Sequence, residues 1–213
     1  NPRAKRISMR ADAVKREIRI TMPHYTPTNV ALDFVDKKRE WIATRLNSAP
    51  DIAPIAPGSE IAVEGESHLI EWREEWPRSI RCGEGMLRLG GPRESVEARI
   101  LRWLKGEARR IFTKEIAHYC DKAGEPVPRL SLGDPRSRWG SCSSRGTISL
   151  SWRLIMAPAS VRRSVIAHEV AHMRHMNHSP DFYAWLDFLF EGNRKAADQW
   201  LKMHGTGLQR VGR

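Results

Sequence analysis

Four of the chain's eight histidines fall in one eleven-residue stretch, His168-Glu169-Val170-Ala171-His172-Met173-Arg174-His175-Met176-Asn177-His178. No other segment restricts the fold as much. Residues four apart on a helix share a face at about 6 Å, so His168 and His172 can aim two imidazoles at one ion, each at roughly 2.0–2.1 Å. Glu169, one step along the helix, lies beside such an ion, where its carboxylate can accept a proton from bound water. A catalytic zinc needs a third protein ligand and an open position. His178 is the preferred choice: it follows His172 by six residues, and Asn177 and Ser179-Pro180 supply the turn chemistry that would bring the chain back. His175 is the competitor, but it would have to reach back past His172 from one turn further along the axis. Two histidines on a helix are often only core or surface groups, and it is the third at a workable spacing that makes chance hard to sustain.

The surrounding pattern supports a helix there. From Pro158, apolar Val161, Val165, Ile166, Val170 and Met173 point inward, and the helix is expected to end around His175 to Asn177. Ser179-Pro180-Asp181 then starts another helix, with a capping hydroxyl, Pro at the first position and an early acid. A last helix is expected over 194–204, before Gly205. Upstream, 16–22 alternates as a half-buried strand, and a helical repeat runs from Thr28 to Leu46. The Pro- and Gly-containing stretch 47–60 reads as a loop. Short apolar runs at 61–63, 69–72 and 86–89 suggest a small antiparallel sheet, and a long amphipathic helix covers 94–122 before Gly124 and Pro126. Strands are expected at 130–132 and within 136–155, turning at Ser143-Ser144-Arg145-Gly146. The expected division is a β-rich region with one helix over 1–92 and a catalytic domain over 93–213, in an α+β fold.

Composition narrows the class. No stretch approaches the roughly 18 to 20 apolar residues of a membrane span, and Asn1-Pro2-Arg3-Ala4-Lys5-Arg6 leads into no apolar signal core, so a soluble protein is expected. The first residue is not Met, which leaves upstream residues an open question. Cys82, Cys120 and Cys142 are odd in number and far apart, fit neither a thiolate zinc site nor a disulfide framework, and suggest a reducing, cytoplasmic setting. A formal charge of +11 would draw the protein toward polyanions such as nucleic acid, although an Arg-rich solvated surface explains the charge equally well.

Three segments together carry a family resemblance: Ser137-Arg138-Trp139-Gly140-Ser141-Cys142-Ser143; Ile148 to Ile155 with Ala157-Pro158; and His168 to His172 with His175-Met176-Asn177-His178-Ser179-Pro180. Over about 136–186 the chain resembles the YgjP-like metallopeptidases, relatives of the SprT-type zincins. The resemblance implies a zincin-like catalytic domain with a small antiparallel sheet packed on the active-site helix. It also implies zinc on His168, His172 and His178, and Glu169 as general base. The ligand spacing is also that of metzincins, but His175 stands at their glycine position and no Met-turn follows, which argues against that group.

Other residues have weaker claims. If the strand from Thr147 to Trp152 is a sheet edge, its free backbone groups could pair with an extended peptide; an internal strand is the alternative. Arg138 and Trp139 could line the cleft, where a cation would stabilise the oxyanion formed as water attacks. Equally, Trp139 could be core and Arg138 a surface partner of an acid. Nothing places a base beside Cys142, and Ser141 is not in a nucleophile elbow. The expected function is a zinc-dependent hydrolase, foremost a metallopeptidase acting on peptides or proteins. A metal-dependent nucleotide phosphohydrolase and a zinc-stabilised binding module without catalysis are the alternatives.

Overall fold

The computed structural model describes residues 4–12, 17–47 and 54–212. The chain divides into two compact units, Asn1–Ile52 and Ala53–Arg213. In the first, β1 (Ser8–Asp12) pairs antiparallel with β2 (Glu17–Thr21), placing Met9 opposite Ile20. The helical repeat expected from Thr28 to Leu46 forms two helices, α1 (Thr28–Asp36) and α2 (Arg39–Asn47). The break is a tightened turn, in which Lys38 N–H donates to Val35 O, three residues back, and Arg39 reaches back to Asp36 at 2.9 Å. Of the loop expected over 47–60, residues 48–53 lie outside the described residues.

The second unit opens with β3 (Glu60–Val63), β4 (Glu66–Trp72), β5 (Arg81–Gly83) and β6 (Met86–Leu89), in spatial order β3-β4-β6-β5. Two antiparallel hairpins meet here through a parallel pairing of β4 with β6, so this sheet is mixed, not wholly antiparallel. Helix α3 (Val96–Ala123) buries Val96, Ile100, Leu104, Ala108, Phe112, Ile116 and Ala123 along one stripe. Gly124, in the left-handed region at φ 66°, ends the helix, and Glu125 N–H closes onto Cys120 O at 2.9 Å. Next come β7 (Arg129–Gly133), β8 (Gly140–Cys142) and β9 (Thr147–Ser151), then a 3₁₀ turn over Trp152–Met156. Three helices finish the chain: α4 (Ala159–Ala171), α5 (Pro180–Leu189) and α6 (Arg194–Arg210). The architecture is α+β.

One hydrophobic cluster runs through this unit. Ile61, Val63, Ile70, Leu87 and Leu89 of the first sheet belong to it together with Phe112 of α3, Ile148 and Leu150 of β9, and Ile166 and Val170 of α4. The boundary drawn near residue 92 from sequence therefore falls inside a continuous core, and the compact units part between Ile52 and Ala53 instead. Helix α6 runs past the expected end at 204. Gly205 gives Trp139 room, since a Cβ there would stand 2.8 Å from the indole. The buried Arg153 then caps the helix end, donating to Leu208 O and Val211 O at 2.7 and 2.6 Å.

Helix α4 is fixed at its start by charge. Arg162, 1% exposed, forms a bidentate pair with Glu115 of α3 at 2.9 and 2.8 Å and reaches Glu64 at 3.0 Å. Glu64 N–H also donates to Ile155 O at 2.7 Å. Gly65 abuts Pro158 so closely that a Cβ there would meet its Cα at 2.8 Å. These contacts join the turn between β3 and β4, helix α3 and the entrance of α4.

Candidate metal centre

Helix α4 ends at Ala171, and the chain leaves it through tightening turns, with Met173 N–H on Val170 O at 2.9 Å and Arg174 N–H on Ala171 O at 3.2 Å. That reversal carries His178 back over the face bearing His168 and His172. The Nε2 atoms of His172 and His178 each stand 3.1 Å from Nε2 of His168. Two ligands at roughly 2.0–2.1 Å from a tetrahedral ion would be separated by about 3.3 Å, so the spacing suits one small cation. Among the described residues these three form the group able to hold a metal, all ligand atoms lying within 4.8 Å of one another. His175 contributes its backbone instead: its carbonyl accepts from His172 Nδ1 at 2.9 Å. That bond puts the ring proton on Nδ1 and leaves the Nε2 lone pair facing the cluster.

Burial sets the basicity of His168 and His172, and one aromatic ring packs against all three imidazoles. Phe182, fully buried, lies under all three imidazoles, with ring centroids 5.0, 4.6 and 4.9 Å from His168, His172 and His178. Ser179 holds it there, capping α5 by accepting from Phe182 N–H at 3.3 Å. Burial, followed by the neighbouring charges, lowers the His168 pKa to about 4, so its ring is neutral at physiological pH. Burial lowers the His172 pKa as well.

Glu169 is 5% exposed, and burial raises its pKa to about 7 against the opposing pull of the Cys142 backbone N–H and the charge of Arg138. The carboxylate rests on β8. A Cβ built on Gly140 would stand 2.5 Å from Glu169 Oε1. A glycine within a strand signals such a close approach, and this signal in Trp139-Gly140-Ser141 went unused in the sequence reading.

Strand β9 lies between β7 and β8, parallel to the first and antiparallel to the second. Of the two readings of the Thr147–Trp152 segment the internal one holds, and the expectation of an antiparallel sheet is corrected: the sheet is mixed, with β8 as the edge near Glu169. In the β8–β9 ladder, Ser143 N–H bonds Thr147 O and Ser151 N–H bonds Trp139 O. By the alternation of antiparallel pairs, the backbone groups of Gly140 and Cys142 face outward, and the Cys142 N–H meets Glu169 there. Trp139 is half-buried against Gly205 and the core, the packing role among its two readings. Arg138 is exposed and close enough to act on the Glu169 charge.

The wall formed by α5 and α6 was not anticipated. Tyr183 lies 6.2 Å from His178 between ring centroids, and the Arg194 guanidinium sits 5.0 Å over the Tyr183 ring. Arg194 is itself held by Asp187 at 2.6 and 3.1 Å. No helix among the described residues is long and apolar enough to cross a membrane.

Comparison with known proteins gives two matches of different weight. The structure resembles the crystal structure of the metallopeptidase zymogen of Pyrococcus abyssi abylysin, with 22% identity and a TM-score of 0.40 over 47% of this chain and 97% of that one. No curated protein matches the sequence. The family model for the YgjP-like metallopeptidase domain matches residues 5–204, nearly the whole chain, and the chain accordingly belongs to the YgjP-like metallopeptidase family.

Proposed function

We propose that this metallopeptidase is zinc-dependent, with His168, His172 and His178 as the ligands through Nε2 and Glu169 as the general base. The observation that carries the reading is the convergence of three Nε2 atoms, those of His172 and His178 each 3.1 Å from that of His168, beside a buried carboxylate. Three imidazoles suit zinc among several divalent ions, and a bound ion would polarise the scissile carbonyl and acidify water at neutral pH.

The chain's own groups supply the rest. An extended peptide could add to the β8 edge, where Gly140 and the Cys142 carbonyl present free backbone groups. Glu169, anchored by the Cys142 N–H, accepts a proton from the attacking water and hands it to the leaving nitrogen as the amide breaks. The neighbouring strand cannot carry a side chain at Gly140 without displacing that carboxylate.

The test is Glu169→Gln in zinc-loaded protein, assayed on a panel of peptides with nucleotides as controls. Peptide hydrolysis should fall by about 10²–10⁴-fold while one zinc per chain is retained. Unchanged hydrolysis removes Glu169 from the reaction. Hydrolysis of nucleotides alone turns the assignment to a phosphohydrolase. Zinc binding with no hydrolysis of either by the parent makes the centre a structural one.

A further inference from the structure

Tyr183 is fixed beside the three-histidine cluster by more than its own helix. Its ring neighbours that of His178, and its other restraint is Arg194, which α6 contributes as its first residue. Arg194 cannot wander, because a bidentate pair to Asp187, one turn beyond Tyr183 on α5, sets its plane. Asn193 in turn caps α6, accepting from Ala196 N–H at 3.0 Å. Asp187 of α5, Arg194 of α6 and the Asn193 cap before it thus fix the position of one aromatic ring at the rim of the cluster.

The fixed ring is 40% exposed, and among the described residues no hydrogen bond engages its hydroxyl. Packing alone does not explain it. Phe182, the neighbouring residue, already fills the buried space under the histidines. Arg194 is itself electrically balanced by Asp187 and less suited to act as a free charge on substrate.

We infer that Tyr183 is a further catalytic residue, donating its hydroxyl hydrogen bond to the carbonyl oxygen of the scissile amide as negative charge develops there, with Arg194 and Asp187 as its positioning residues. This rests on the metallopeptidase reading above and deepens it. No proton is transferred to the oxygen: the phenol keeps its proton, the water oxygen forms the new C–O bond, and the C–N bond breaks as Glu169 delivers the proton to nitrogen. Arg138, at the Glu169 side, is then left to act on that carboxylate's charge.

The experiment is Tyr183→Phe in zinc-loaded full-length chain, which keeps the ring and its cation contact and removes one donor. Donors of this kind contribute most when charge has developed, so kcat should fall about 10–100-fold with KM within about twofold. A phosphinic peptide, which places a charged oxygen where the tetrahedral carbon's oxygen forms, should bind more weakly by a similar factor. Zinc content should stay at one per chain. Arg194→Gln should lose part of the same kcat, and Arg194→Lys should restore part of it. Unchanged kcat and unchanged phosphinic-peptide affinity in Tyr183→Phe overturn the assignment to Tyr183 and leave the metallopeptidase reading standing. A parent chain that hydrolyses no peptide overturns both.

Discussion

Gly140→Ala is the sharpest perturbation this site offers. The added Cβ would stand 2.5 Å from Glu169 Oε1 and 2.8 Å from both Cδ and Cγ. Ordinary contacts between non-bonded heavy atoms lie at about 3.5–4.0 Å, so one side must yield by about 1 Å. The strand is the stiffer side, since Trp139 O and Ser143 N–H tie both ends of β8 to β9 at 2.8 and 3.0 Å. The carboxylate therefore moves. A displacement of about 1 Å in a positioned catalytic group lowers rate by about 10²-fold, and forced packing costs about 1–3 kcal/mol of stability. Steady-state kinetics on a peptide, with metal analysis and thermal unfolding of the same preparation, read all three quantities. The expected result is kcat down about 100-fold, one zinc retained, and a modest loss of Tm. A variant with kcat within about twofold of the parent would show that Glu169 does not work from its place against β8.

Other outcomes follow from the same contacts. Arg162→Ala leaves buried Glu115 with only the exposed Arg163, at 3.0 Å, as its cation, which should cost about 3 kcal/mol and lower Tm by roughly 10 °C in a thermal melt. Phe182→Ala opens a cavity beneath all three imidazoles, and calorimetric titration should find zinc bound more weakly along with a stability loss of about 3–5 kcal/mol. Removing zinc with a chelator should lower Tm, because an ion present at about a thousand times its Kd stabilises by about 4 kcal/mol; no shift would mean that the folded chain holds no ion tightly.

Much of the site was legible because its geometry is helical arithmetic. The four-residue spacing puts His168 and His172 on one face, and the Ser179 signal forecasts the new helix that returns His178 to them. The sheets were harder. Alternating apolar residues mark β4, β6 and β9 as strands, but alternation does not report which strand lies beside which, so the parallel β4–β6 and β7–β9 pairings and the internal place of β9 were hidden. Contributions made through backbone or through an absent side chain were hidden for a related reason. The carbonyl of His175 and the vacant Cβ position of Gly140 act by location, and a residue type carries no record of its neighbours across the fold. The Tyr183–Arg194–Asp187 set spans two helices whose mutual placement only the tertiary structure reveals. Length and Pro or Gly content could not show that the core runs unbroken through residue 92.

The most direct test of the central claim is the structure of the zinc-loaded chain around His168, His172 and His178, by crystallography or X-ray absorption. The account predicts one ion per chain, bound by the three Nε2 atoms at about 2.0–2.1 Å, with His172 Nδ1 still on the His175 carbonyl. An ion ligated by the His175 ring in place of His178, or a chain that takes up no ion, would contradict it.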